Sequence, residues 1–360
     1  MSLVDAIVEA DSLSESSKTQ YLEKLSTLSK VMGKPLEYIV DNPERVRNCL
    51  RKRYSGALTQ RAFIAAIKAL FHYNPHLRDN RAEQYAKYSD YQNDMTQAVT
   101  DRYMAAEPSD KERENWVPWP EVQAKERELA TAEFGSYDHL LLAMYCLIEP
   151  LRQDYGALRI LVGREPSETA SGNFLVINKD ASWGKLVLNT YKTAKKYGTF
   201  QRVLPPDLMS VIRSSLVAHP RAYLFVDESG EPYRKSNSFT QFSNRTLRRL
   251  FGKKLTVSLL RHSHISSIDF NASTPGELFQ KSRNMAHSIS MQQMYRRKVE
   301  PAPPPPPLTV IKQGAALAPA VPAPAPAPAP THAPAPAPAL HSGGGLVVDK
   351  NGYRYLNLSI

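Results

Sequence analysis

The sequence predicts a mainly α-helical protein with a small antiparallel β-sheet, divided into a helical amino-terminal domain and an α+β second domain. Three observations carry this expectation. Apolar residues recur at three- and four-residue spacing through the first hundred residues, the period of amphipathic helices. A proline- and tryptophan-rich break, EPSDKERENWVPWPE, interrupts that pattern. Beyond it, short β-branched runs separated by turn residues cluster in NFLVINK, GKLVLNTYKT and RVLP, the signature of neighbouring strands. At 360 residues the chain has room for two cores.

In chain order, SSKTQYLEKLSTLSKVM places Tyr21, Leu22, Leu25, Leu28 and Val31 on one helical stripe. PLEYIV, NPERVRNCLRKRY with Pro43 in a first helical turn, and LTQRAFIAAIKALFHY repeat the pattern as short helices joined by tight turns. Residues 80–106 read as one longer helix. The domain boundary is expected at the break, where Trp116 and Trp119 read as packing anchors. The expected parts are a helical domain over 1–112, a linker and leading helix over 113–134, and the second domain over 135–299.

In that second domain YDHLLLAMYCLI is a buried helix that delivers Arg152 on a turn. The three strand runs follow, with Lys192 in the turn-proximal part of YKTAKKYG, where a loop can reach a ligand. PPDLMSVIRSSLVAHP reads as a helix, AYLFVDESG as a buried extended segment, and SNSFTQFSNRTLRRLFG as a helix carrying Arg245, Arg248 and Arg249. Residues 300–345 are dominated by proline and alanine, which cannot bury a core and read as a semi-rigid spacer. In 346–360, LVVDKNGYRYLNLSI resembles a hairpin around Lys350-Asn351-Gly352, a terminal segment suited to docking on its own domain, a sister subunit or another protein.

The net charge of +11 and pI near 9.4 point to a polyanionic partner. All but two of those charges lie in the first 300 residues, so the excess belongs to the folded part. Arg51, Lys52, Arg53, Arg61 and Lys68 on the early helices, with Arg245, Arg248 and Arg249, are the candidates for contacts with the phosphates of such a partner. Cys49 and Cys146 are far apart in apolar helical settings, as expected of reduced core thiols. The amino terminus lacks a signal-peptide pattern and no apolar run reaches membrane-spanning length, so the expectation is a soluble protein without a membrane partner.

The chemistry concentrates between Thr256 and Arg297, where Arg261, His287 and Tyr295 precede a basic Arg296-Arg297-Lys298 cluster. A phosphodiester repels nucleophiles, so a tyrosine can attack it only where guanidinium and imidazole donors neutralise its oxygens. Arg152 and Lys192 are candidates for the missing donors. In LRHSHIS and MAHSISMQQMY, and less closely in PLRQDYGALRI and YKTAKKYG, the chain resembles the tyrosine recombinase (integrase) family over most of residues 135–298. The phrasing is most similar to recombinases of large eukaryotic viruses and eukaryotic mobile elements.

That resemblance implies a helical core-binding domain followed by a tyrosine-recombinase-type α+β catalytic domain, and strand transesterification on double-stranded DNA without metal or nucleotide cofactor. Tyr295 is then the nucleophile, Arg152 and Arg261 the clamps on the non-bridging oxygens, His287 a phosphate donor and Lys192 the acid for the leaving 5′-oxygen, with Lys195 and Lys196 as alternatives. Asp154 would buttress an arginine. Ser258 stands where the family usually has a histidine; it can donate a hydrogen bond but is a far poorer base. The His287–Tyr295 spacing is one residue shorter than in many members. The resemblance further implies a homotetramer on paired sites, acting wherever DNA is kept: a nucleus or viral factory, or a prokaryotic cytoplasm. Two other readings stay open on the sequence, a type IB topoisomerase-like relaxing enzyme and a catalytically silent DNA-binding protein of the same fold.

Overall fold

The computed structural model describes residues 2–167, 169–234 and 237–299, together with the backbone of 345–348 and 354–357. The expected spacer and the expected hairpin turn at Lys350-Asn351-Gly352 lie outside the described residues. The chain forms two compact units, Met1–Pro108 with Met294–Arg297, and Ser109–Gln293 with the residues from Lys298 onward.

The first unit is helical: α1 (Asp5–Val8), α2 (Glu15–Met32), α3 (Leu36–Asp41), α4 (Pro43–Arg53), α5 (Ala57–Tyr73), α6 (Pro75–Asn80) and α7 (Ala82–Met104). Its ends carry the expected chemistry. The Ser14 hydroxyl accepts from Ser17 N–H at the start of α2, and Gly33 ends that helix in the left-handed region at φ +62°. The apolar stripe of α5 is the centre of the core, with Phe63, Ile64, Ile67, Leu70 and Phe71 buried against Leu25 and Leu28 of α2 and Tyr88 of α7. Each such side chain contributes roughly 1.5–3 kcal/mol by leaving water. Arg51, Lys52 and Arg53 form the exposed last turn of α4, where basic residues also complement the helix dipole. Arg61 and Lys68 are half-buried on α5, and the Lys68 ammonium lies 5.5 Å from the Tyr85 ring centre.

The second unit opens with α8 (Asp110–Glu114), α9 (Trp119–Ala132) and α10 (Tyr137–Cys146). It continues through β1 (Leu158–Val162), β2 (Asn173–Ile177), β3 (Gly184–Leu188), α11 (Ala194–Tyr197) and β4 (Phe200–Val203). It closes with α12 (Pro206–Ala218), α13 (Ser238–Phe251), α14 (Val257–Ser266), α15 (Pro275–Asn284) and α16 (Ile289–Tyr295), the last of which runs into the segment grouped with the first unit. The mainly α architecture with a small sheet is as expected, but this four-stranded sheet is mixed, not antiparallel throughout. Its order is β1-β2-β3-β4, and β1 pairs parallel to β2, with Leu158 opposite Asn173. The strand LRILV, broken by the charged Arg159 at its second position, follows the Arg152 turn and is not among the strand runs expected. The loop from 163 to 172 then carries the chain back to begin β2 at the same end.

Alternate side chains of the strands face opposite ways. Leu158, Ile160, Leu175, Ile177, Leu186 and Leu188 join the main core, whereas Leu161, Phe174, Val176 and Val187 make a small cluster on the other face. Trp116 and Trp119 are buried in the main core as packing residues. Ala222–Leu224, from the expected extended segment, bonds to β1 through Ile160 N–H to the Ala222 carbonyl and Leu224 N–H to the Leu158 carbonyl. Gly156, four residues past Arg152, admits no side chain: a Cβ there would sit 2.7 Å from Cβ of Phe239 on α13. At the far end β5 (Gly345–Val348) and β6 (Arg354–Asn357) pair antiparallel, with Val348 opposite Arg354. No helix among the described residues is long and apolar enough to cross a membrane.

Candidate active site

Helix α10 is buried almost throughout, because YDHLLLAMYC offers apolar side chains on every face. A helix of this kind must end inside the protein, and the chain leaves it through a turn pinned by two tyrosines. The Tyr145 hydroxyl donates to the Arg152 carbonyl at 3.1 Å, and the Tyr155 hydroxyl donates to the Met144 carbonyl at 3.3 Å. Arg152 is thereby held half-buried, with Nη1 donating to the Ala286 carbonyl at 3.0 Å, across 134 residues of sequence.

Helix α14 starts at Thr256, whose hydroxyl accepts from Leu259 N–H, and buries Leu259, Leu260, Arg261 and Ile265. Arg261 is 1% exposed. Its Nη2 donates to the Met285 carbonyl at 3.2 Å and to Nδ1 of His287 at 3.2 Å. A guanidinium cannot accept, so Nδ1 of His287 is the acceptor and the ring proton sits on Nε2. Burial pushes the His287 pKa down to about 3, with the charges of Arg261 and Arg152 adding to the effect.

Both arginines are thus anchored on the segment that ends α15. There Ala286 N–H bonds to the Arg283 carbonyl and His287 N–H to the Ser282 carbonyl, the paired bonds of a Schellman cap. The residue in the left-handed position is Ala286, at φ +53°, where glycine is usual. An L side chain there costs about 1–2 kcal/mol, against about 0.4–1 kcal/mol of extra unfolded-state freedom that glycine brings. Ala286→Gly is therefore expected to stabilise the protein by up to about 1 kcal/mol, read as a higher urea midpoint; a lower midpoint would contradict the cap geometry. The cap exposes two successive carbonyls, Met285 for Arg261 and Ala286 for Arg152, and sets His287 beside them.

The Thr193 hydroxyl donates to that same Ala286 carbonyl at 3.2 Å, so the β3–β4 connection is tied to the cluster one residue from Lys192. Lys192 itself is exposed, as are Lys195 and Lys196. Beside His287, Tyr191, Tyr197, Phe200, Phe279 and Arg283 line a cavity of about 650 Å³. Ser258 is exposed and lines a different cavity, of about 310 Å³, with Lys111, Glu112, Lys254 and His262; neither arginine of the cluster nor His287 borders it. Among the described residues Asp154 forms no ion pair with an arginine, although the charges of Arg152 and Arg261 act on it: burial holds it above the usual carboxylate range, and its Oδ2 has no hydrogen-bond partner among those residues. The carboxylate the sequence reading missed is Glu149, which pairs with Arg202; its only signal was a charged residue shortly after an apolar helix, three residues before Arg152.

Tyr295 is the last residue of α16, whose first turn is capped by the Ser288 hydroxyl accepting from Met291 N–H. It falls with Met294–Arg297 in the first unit, where the buried Arg297 guanidinium lies 5.0 Å from the Tyr103 ring centre. On α13, Arg245 and Arg248 are exposed, whereas Arg249 is forked onto Asp138 at 2.5 and 2.6 Å.

His264, one turn after Arg261, packs edge-on to Trp119 at 4.6 Å, and burial pushes its pKa down to about 4. An unfolded histidine titrates near 6.5. Between that value and about 3–4 the unfolded chain binds protons that His264 and His287 refuse, so the stability they contribute is complete above pH 6.5 and is lost as pH falls through this window. Urea midpoints are expected to drop between about pH 7.5 and pH 5, above most carboxylate titration. His264→Phe should shrink that drop; a drop of unchanged size in the variant would place its origin elsewhere.

No protein-family model matches the chain, and no protein with a curated description does. Among solved structures, the crystal structure of XerA recombinase is similar at 15% identity and a TM-score of 0.37, over 83% of this chain and 94% of that one.

Proposed function

We propose that this protein is a site-specific DNA recombinase that cleaves and rejoins strands through a 3′-phosphotyrosyl intermediate. The observation that supports this most is the convergence of Arg152 and Arg261 on the consecutive carbonyls of Met285 and Ala286, immediately before a neutral His287. Two guanidinium groups and one imidazole N–H gathered at one helix end suit an oxyanion with several acceptor oxygens, and planar forked donors suit a phosphate better than an ammonium does.

In this reading the Tyr295 oxygen attacks the scissile phosphorus, its proton passes to solvent water, and the bond to the 5′-oxygen breaks. A free phenol titrates near 10, so the attack depends on guanidinium charge to stabilise the developing anions. Arg152 and Arg261 hold the non-bridging oxygens, and His287 donates from Nε2. Lys192, on the connection tied down through Thr193, gives a proton to the departing 5′-oxygen. The ester keeps the energy of the broken bond, so a 5′-hydroxyl from another strand can reverse the step. Arg51, Lys52, Arg53, Arg61 and Lys68, with Arg245 and Arg248, are assigned to DNA phosphates; Arg249 is already engaged by Asp138. Ser258 is assigned no part in proton transfer. A homotetramer on paired sites is the working assembly.

The test is a duplex nicked just beyond the cleavage position, from which the short 5′-hydroxyl strand diffuses away and traps the covalent state. A protein–DNA adduct resistant to denaturant is expected; specific binding with no adduct would overturn the reading.

A further inference from the structure

A single carboxylate joins the three segments that build the cluster. Glu149 lies three residues past the end of α10, on the connection that leads to Arg152. Its Oε1 accepts from Asn284 Nδ2 at 3.0 Å, and its Oε2 accepts from Nη2 of Arg202. Asn284 is the last residue of α15, directly before Met285 and Ala286, whose carbonyls hold the two arginines. Arg202 lies on β4, the strand that returns from the Lys192 connection. Glu149 is therefore bonded at once to the helix cap that positions His287 and to the hairpin that carries Lys192, while its own backbone leads to Arg152.

The electrostatics agree with this placement. Burial raises the Glu149 pKa, but the charge of Arg202 and the hydrogen bonds from Asn284 and Arg202 outweigh it and leave the carboxyl below its ordinary value. The other carboxylate of this turn, Asp154, pairs with neither arginine within ion-pair distance. Removing Glu149 leaves Arg202, a mostly buried cation with a further nitrogen lacking a partner among the described residues, without its counter-charge. That outcome is worse than never having had the pair.

We propose that Glu149 is a positioning residue for strand cleavage, which locks the Lys192 hairpin against the arginine–histidine cluster so that leaving-group protonation coincides with attack. This rests on the recombinase reading. It carries a chemical consequence: a bridging sulfur in place of the 5′-oxygen leaves as a thiolate, a far weaker base than an alkoxide, and needs no proton. A defect in aligning the acid disappears on such a substrate, because the Tyr295 O–P bond forms and the P–S bond breaks without Lys192. A defect in the phosphate clamp does not disappear.

The experiment measures adduct formation by the full chain on nicked duplexes with a bridging 5′-oxygen or 5′-sulfur, for wild type, Glu149→Gln, Glu149→Ala, Lys192→Ala and the double variant Glu149→Gln/Arg202→Gln. Thermal denaturation and DNA binding are followed in parallel. Misplacement on the ångström scale costs about 100-fold in rate, so Glu149→Ala is expected to lose about that much on the oxygen substrate and to regain most of it on the sulfur substrate, as Lys192→Ala does. Glu149→Gln sets an amide N–H₂ against one of two donors and should lose less. The double variant, in which two amides can pair, should recover part of that loss. Equal losses on both substrates in a folded, DNA-binding variant would overturn the proposal, as would no loss on oxygen. If wild type forms no adduct with either substrate, the recombinase reading itself fails, a result distinct from either of these.

Discussion

Arg261→Lys is expected to lower adduct formation by about 10³-fold while leaving non-covalent DNA binding within a few fold. Arg261 is 1% exposed and spends one nitrogen on both the Met285 carbonyl and the His287 ring. An ammonium is a single donor centre; held by the carbonyl, it cannot also present a planar fork to a phosphate. Burial also favours loss of its proton, which a guanidinium resists. Removing one donor aimed at a developing oxyanion typically costs about 10²–10³ in rate, and here the same change releases His287 from its tautomer. Binding should persist, because the phosphate contacts assigned to α4, α5 and α13 are untouched. Near-wild-type cleavage by a folded Arg261→Lys protein would remove this residue from the mechanism.

Tyr295→Phe should give the larger effect, a complete loss of adduct with DNA affinity unchanged. The substitution keeps the ring and the helix end and deletes one oxygen, so any lost activity belongs to that atom. Ser288 and Ser290 are the nearest hydroxyls along the chain, but their Oγ atoms lie 3.0 Å apart at the start of α16, where the Ser288 hydroxyl serves as the helix cap. Cleavage persisting in Tyr295→Phe would assign the nucleophile elsewhere.

Much of the helical framework was legible in the residues because period and caps agree: α2 spans Glu15–Met32 and α7 spans Ala82–Met104, close to the apolar stripes read from the sequence. The sheet was legible at β2, β3 and β4 and opaque at β1, where Arg159 interrupts the apolar residues and the parallel pairing depends on where the following loop returns. At the site, Arg152, Arg261 and His287 could be picked out by motif, but their common anchor could not. Ala286 adopts a left-handed conformation with none of the signal a glycine would have given. Glu149 was opaque for a related reason: its partner Arg202 lies 53 residues away in sequence, whereas Asp154, read as a buttress for an arginine, feels the charges of both Arg152 and Arg261. Ser258, expected in the site from the position the resembled family gives a histidine, is exposed and borders a different cavity.

The central claim is that one phenolic oxygen becomes bonded to DNA, and tryptic mapping of the trapped adduct tests it most directly. Cleavage after Arg283 and Arg296 releases Asn284–Arg296, NMAHSISMQQMYR, in which Tyr295 is the sole tyrosine. After nuclease trimming, fragmentation is expected to place the residual nucleotide mass on Tyr295. The same mass on Ser288, Ser290 or another peptide, or a bound complex with no mass shift at all, would contradict the account.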